Sequence, residues 1–261
     1  MDGGAQTASA GGWLKRSAGS PTPWGRLFCF PHAGGGASSF NGWRRWFPAG
    51  VELTAVQLPG REDRQAEAPV TDLGALTAAL LPHVAPLTGL PFLFYGHSLG
   101  AIVAFELLRE MRRQGLPMPY ALFASGRRAP QLPLSHPAHG LGGDDEFADY
   151  LRLMGATPQA ILDRPHWRER LFPTIRADLN MSDLYDYRDE PPLDCPVHFF
   201  AGRDDPLVSE AEWRGWAAQT AAGFKLTELP GGHFFASAEQ SVIAGEALSR
   251  LAAVGARVTA P

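Results

Sequence analysis

Short apolar runs alternate along this chain with segments whose apolar positions recur every three or four residues. The runs are RLFCF (26–30), VELTAVQL (51–58), FLFYG (92–96), YALFAS (120–125), PVHFFAG (196–202) and FKLTEL (224–229). Their length and aromatic or β-branched content predict strands. Between them, Phe40, Trp43, Trp46 and Phe47 keep to one helical face, as do Leu73, Leu76, Leu80 and Leu81. Ile102, Phe105 and Leu107 or Leu108 do the same in a segment ended by Gly115, which is well placed as the glycine after a helix C-cap. Strands alternating with helices in this way predict an α/β architecture, a mostly parallel sheet with helices on both faces.

One interval breaks the rhythm. About seventy residues separate YALFAS from PVHFFAG, far more than an ordinary α/β connection. Inside it, DDEFADYLRLMG sets Phe147, Tyr150, Leu151 and Met154 on one helical face behind an acidic first turn. HWRERLFPTIRADLNMSDLYDYR also reads as helical, with a kink or restart expected at Pro173. The sequence therefore divides into a Gly/Ala/Ser-rich tail expected to be disordered (1–12), a core (13–126 and 191–253), a helical insertion (127–190) and a C-terminal tail (254–261).

Composition narrows the function classes. The chain has 261 residues, 45% of them hydrophobic, enough for one large core. A net charge of −4 gives no basic field for nucleic acid. Cys29 and Cys195, at the edges of apolar runs, offer neither a disulfide framework nor a metal-ligand pair, and are expected to be buried, inert thiols. No His-Glu-x-x-His or paired Cys/His spacing exists, so no metal is expected. Neither a signal-peptide pattern nor an apolar run of the roughly 20 residues that cross a bilayer is present, so a cytoplasmic protein without membrane contact is expected.

The chemistry concentrates at GHSLG (96–100), a G-x-S-x-G pentapeptide with a strand before it and a helix after it. In that context the serine occupies a strained turn that lifts its hydroxyl above the sheet, beside the N-terminus of the next helix. Ser98 is thus a candidate nucleophile, and needs a base and a group to orient that base. HFFAGRDDPLVS supplies Asp204 and Asp205 just past one strand, and ELPGGHFFAS supplies His233 just past the next. Serine, acid and histidine then follow in the order of the G-x-S-x-G enzymes, all at C-terminal strand ends. Asp205, immediately before PLV, is preferred to Asp204 as the His233 partner, and the strand ending FASGRR carries no competing carboxylate. Singly, either aspartate fits a turn former and His233 a loop histidine. His97 is expected to pack under the turn, while His136, His139 and His166 in the insertion are as easily solvated as functional. The Gly-rich loop in FCFPHAGGGASSF (28–40) lacks a phosphate-binding lysine or spacing. It reads instead as an oxyanion loop, the N–H of Ala33 joining that of Leu99.

With PHAGGG, LPGRE (58–62), GHSLG, RADL followed by YDY, GRDDP and GGH in order, the chain resembles the type II thioesterases, discrete α/β-hydrolase enzymes accompanying polyketide and nonribosomal peptide synthases. The resemblance runs from about residue 13 to 250. GHSLG is widely shared, whereas PHAGGG with LPGRE at this spacing is far more specific. The resemblance implies the α/β-hydrolase fold with a helical lid. It implies hydrolysis of acyl thioesters on the phosphopantetheine arm of carrier proteins, chiefly short or aberrant acyl groups, with no cofactor beyond the arm the substrate carries. Carried over residue by residue, Ser98 is the nucleophile, Asp205 the orienting acid, His233 the base, and Ala33 and Leu99 the oxyanion donors. The insertion becomes a lid whose aromatic and Met side chains suit apolar acyl groups. Arg127 and Arg128 fit either a solvated pair, the plainer expectation, or a contact for the arm's phosphate or an acidic carrier surface. LPGRE is expected to be a structural loop. Alternatives are an esterase or lipase acting on oxygen esters, an acyltransferase, and an inactive hydrolase-fold binding protein.

Overall fold

The computed structural model describes residues 12–155, 157 and 159–258, the last four by their backbone only. Seven strands form one sheet: β1 (Leu14–Ser17), β2 (Gly25–Phe30), β3 (Val51–Val56), β4 (Phe92–His97), β5 (Leu122–Ser125), β6 (Val197–Gly202) and β7 (Phe224–Leu229), in the order β1-β3-β2-β4-β5-β6-β7. Only β1 runs antiparallel, pairing Leu14 with Val56 and Ser17 with Leu53. The apolar runs locate β2 to β7 and miss β1, whose LKRS is too short and too charged to register as a strand without its partner. The chain goes from β2 to β3 on one side and then to β4 on the other, so the loops leaving β2 and β4 part company above the sheet. Open α/β sheets place their ligands in such a crevice.

Both sheet faces are buried, and the strands show it by alternation. Phe28 and Phe30 of β2 join Phe92 and Phe94 of β4 in one core, beneath helices α1 (Leu73–Val84) and α2 (Leu99–Arg113). Leu27 and Cys29 turn to the other face with Leu93 and Tyr95, under helix α7 (Gln240–Val258) and a 3-10 segment at Ala37–Trp46. That segment was expected to bury Trp46, which instead lies 39% exposed beneath Arg45. The segment ends at Trp46 and the chain turns extended at Phe47 (φ −115°, ψ 140°), which is buried with Phe40 and Trp43 in its place. Helix α7 continues to Val258, five residues into the expected C-terminal tail; all but Gly12 of the expected N-terminal tail lies outside the described residues. Gly115, with φ +65°, closes α2: its N–H reaches Arg112 O at 3.0 Å and Leu116 N–H reaches Met111 O at 2.9 Å, the paired bonds of a Schellman cap.

The insertion carries helices α3 (Asp144–Met154), α4 (Gln159–Leu162) and α5 (Pro165–Asp183). Helix α5 runs through Pro173 without restarting. Phe147, Leu151, Met154, Leu162, Phe172 and Leu179 form a small core of their own, against which Ala33, Leu207 and Phe234 pack. Those three residues come from the loops after β2, β6 and β7, so the insertion sits on the C-terminal rim of the sheet. A short helix α6 (Glu210–Arg214), capped by reciprocal Ser209–Glu212 bonds, follows β6.

Candidate active site

Ser98 stands between β4 and α2 with φ +55° and ψ −116°, a region that side chains other than glycine's rarely occupy. The flanking glycines make this turn possible. A Cβ on Gly96 would collide with the backbone of Gly100, and one on Gly100 with the carbonyl of Phe30. Neighbouring β5 fastens the turn: Ser98 N–H donates to Ser125 O at 2.8 Å, and Ser125 Oγ lies 2.8 Å from His97 Nδ1 and 3.1 Å from Tyr95 Oη. His97 therefore packs under the turn, as the sequence suggested. Burial, then the nearby His233 and His32, holds its pKa well below the ordinary imidazole value.

The three distant side chains singled out in the sequence converge. His233 Nε2 lies 3.2 Å from Ser98 Oγ, and His233 Nδ1 lies 2.9 Å from Asp205 Oδ2. The Asp205 side chain is 1% exposed and that of His233 3%. A buried carboxylate only accepts, so Nδ1 carries the hydrogen and Nε2 presents its lone pair to the serine. Asp205 Oδ1 accepts from Leu207 N–H at 2.9 Å, fixing the carboxylate. Asp204 instead braces the next loop, its N–H reaching Gly231 O at 3.0 Å and its carboxylate facing Gly231 N–H. Glycine is needed opposite it, since a Cβ on Gly202 would lie 2.6 Å from Gly232 O.

Leu99 opens helix α2, so its N–H has no intrahelical acceptor. Among the described residues the Ala33 N–H likewise meets no acceptor. A histidine beside Ala33, His32, is kept neutral, its pKa pushed down to about 4 by burial, then by the nearby His233 and Arg61. Its ring stands edge-on to Phe234, which also contacts His97 and His233.

Beside Ser98 and His233 opens a cavity of about 50 Å³, room for a few water molecules. Tyr150, Met154 and Leu179 of the insertion line it, with Leu207 and Val208. Its wall is not the apolar one expected, because Arg127 and Arg128 also line it. Neither is solvated: each is only 7% exposed. Arg127 donates to the hydroxyl and carbonyl of Ser182, and among the described residues its Nε has no partner. Burial first, then repulsion from Arg128, pushes its pKa down to about 9. Arg128 donates to Leu132 O at 3.0 Å. Of the insertion histidines, His136 lines the cavity and His139 lies 3.5 Å from Asp183, while His166 leans on Trp167 away from it. A larger groove of about 880 Å³ runs between α1, α2 and the end of α5; in its wall Arg109 pairs with Glu106 and Glu190, and it includes neither Ser98 nor His233.

Sequence reasoning left two residues without a task that the structure places next to the site. Arg61 of LPGRE and Asp178 of RADL form a buried ion pair, with Nη2 2.9 Å from Oδ1. The signal was there in principle: an arginine and an aspartate, each inside a distinctive motif.

Residues 25–250 match the family model described as a thioesterase domain. The chain is 40% identical over 210 residues to the gramicidin S biosynthesis protein GrsT of Aneurinibacillus migulanus, covering 80% of this chain and 82% of that one. Among solved structures, the type II thioesterase BorB from the borrelidin biosynthetic cluster aligns with a TM-score of 0.85 at 32% identity, over 94% of this chain and all of that one. The RedJ thioesterase from the prodiginine pathway of Streptomyces coelicolor aligns at 0.78 and 35% identity, over 86% of each chain. With an α/β-hydrolase sheet, a serine turn of this geometry and a family match over most of its length, the chain belongs to the thioesterase family.

Proposed function

We propose that this protein hydrolyses short acyl thioesters carried on the phosphopantetheine arm of carrier domains in a modular synthase, through an acyl-Ser98 intermediate. The observation that carries the mechanism is the single imidazole, His233, bridging Ser98 and Asp205 at 3.2 and 2.9 Å. His233 Nε2 takes the Ser98 proton as Oγ attacks the thioester carbonyl, and Asp205 stabilises the imidazolium that forms. The oxygen that becomes negative accepts from Ala33 and Leu99 N–H, each such donor typically worth a factor of about 100 to 1,000 in turnover. Collapse expels the thiol, which takes the proton back from His233. A thiol with a pKa of about 8.5 leaves far more readily than an alkoxide. His233 then deprotonates a water that attacks the acyl-Ser98 ester, releasing the acid and restoring the serine.

The substrate class rests on the relatives named above and on the cavity. A site of about 50 Å³ with two buried arginines in its wall suits a short acyl group better than a long apolar one, because a chain of methylenes would leave a guanidinium without water or a partner. The insertion then serves as the lid over that cavity. The deciding experiment compares acetyl, propionyl and octanoyl thioesters of pantetheine and of a carrier domain with matched oxygen esters. Wild type is expected to favour short thioesters, and Ser98→Ala to have no turnover above buffer. Preference for the oxygen esters would make it an esterase, and turnover persisting in Ser98→Ala would remove the mechanism. Asp205→Asn is expected to lose about 10⁴-fold in kcat, as an orienting acid does when the wrong imidazole tautomer is favoured, against a small loss for Asp204→Asn.

A further inference from the structure

Three sequence motifs, PHAGGG, LPGRE and RADL, meet at one point beside the site, and the last two have no step in the reaction. The loop after β2 makes its turn at Gly34, φ +74°, against helix α5, where a Cβ would sit 2.6 Å from Ile175 Cγ1. From that helix Asp178, 1% exposed, accepts the Gly34 N–H at 2.7 Å. Arg61 grips the same carboxylate through both terminal nitrogens and donates to Gly35 O at 3.2 Å. It is itself tied to Pro59 O at 3.1 Å, and Thr174 Oγ1 of α5 donates to Gly60 O at 2.9 Å. Inside the turn Gly35 N–H closes onto His32 O at 2.9 Å. The residue between these anchors is Ala33, whose own N–H is left free to face a ligand.

We propose that Arg61 and Asp178 are positioning residues for the oxyanion loop, and that the insertion helix α5 thereby holds the Ala33 N–H in its aim. The inference rests on the reading of Ala33 as an oxyanion donor. A peptide plane is rigid: the Ala33 N–H shares one with the His32 carbonyl, held by Gly35 N–H, and the Ala33 carbonyl shares the next with Gly34 N–H, held by Asp178, so Ala33 keeps little rotational freedom. Donors of this kind act because they are oriented before the reaction begins. The hole is therefore complete only while α5 is seated on the rim, and displacing the helix withdraws a donor as well as opening the cavity.

The test uses the full chain with Asp178→Asn, which keeps an acceptor oxygen but not the charge, Asp178→Leu, which keeps neither, and Arg61→Lys, which keeps the charge but not the two-pronged grip. Each is measured for kcat and KM on an acetyl-pantetheine thioester and for the rate at which a fluorophosphonate labels Ser98, with the folded fraction taken from circular dichroism. Misaiming one donor is expected to lower kcat by about 10- to 100-fold, with Asp178→Leu worst. KM should stay within about threefold, and labelling should slow in parallel, as expected for interactions made in the transition state. Folded variants with wild-type kcat and labelling, or with raised KM at intact kcat, overturn the proposal; should Asp178→Leu not fold, Asp178→Asn and Arg61→Lys decide it alone. These outcomes differ from failure of the enzymatic reading itself, which would appear as turnover in Ser98→Ala or none in wild type.

Discussion

The serine at position 98 shows how much strain one residue is made to hold. Its φ of +55° and ψ of −116° cost a non-glycine residue on the order of 1–3 kcal/mol. Ser98→Gly should therefore melt higher than Ser98→Ala by about 1 kcal/mol of unfolding free energy, both being inactive, because only glycine relaxes the backbone term. Matched urea titrations of the two variants test this, and equal midpoints would mean that the surrounding turn, not residue 98, sets the cost. Gly100→Ala acts oppositely: its Cβ would meet the Phe30 carbonyl, and soluble expression is expected to fail. This corner was readable from five letters because the G-x-S-x-G pattern states both the strain and the space it needs. Asp205 over Asp204 was also readable, from position relative to PLV. The burial of Arg127 and Arg128 was not, since two adjacent arginines past a strand end look solvated until Ser182 and Leu132, distant or irregular in sequence, are brought against them.

At the scale of elements, helices end where local chemistry ends them, and this is measurable far from the site. Gly115, φ +65° with open space around it, caps α2. Gly115→Ala should cost about 1 kcal/mol, through backbone conformation alone, with unchanged kcat and KM. A loss in activity instead would imply that the end of α2 communicates with Ser98 at its start. Periodicity found α1, α2 and the strands that bury both faces, since each repeats often enough to declare its period. It misjudged the segment at Ala37–Trp46, where the chain leaves the helix for extended backbone at Phe47, a change of direction that the apolar spacing does not show. It passed over β1, whose four residues are a strand only because Val56 to Leu53 of β3 accept them.

Across the whole molecule, three histidines with lowered pKa values tie stability to pH. Burial leads in lowering each: His32 and His198 to about 4, the latter also facing Lys225, Arg250 and Glu246, and His97 well below its ordinary value. Unfolding returns each to its ordinary value near 6.5, so the unfolded chain binds more protons below that pH. Stability contributed by their neutrality is present above about pH 7 and is lost as pH falls through 6.5 toward 4. Each such proton is worth about 1.4 kcal/mol per pH unit where it is fully taken up. Between pH 6.5 and 5 most carboxylates have yet to titrate, so the slope of unfolding free energy there should approach three protons. His198→Gln, on the sheet face away from Ser98, should remove about one; an unchanged slope would exclude His198 from this behaviour.

The insertion has its own small core of Phe147, Leu151, Leu162 and Phe172, yet it is buckled to the sheet through Asp178. Such a module is interchangeable in principle, because its helices bury a core of their own. Any graft replacing residues 127–190 with a relative's counterpart must nevertheless bring a carboxylate to the same point above Gly34. Chimeras built with and without it would therefore part into two populations, one altered only in which acyl chains it accepts and one that folds but turns over slowly whatever it is given.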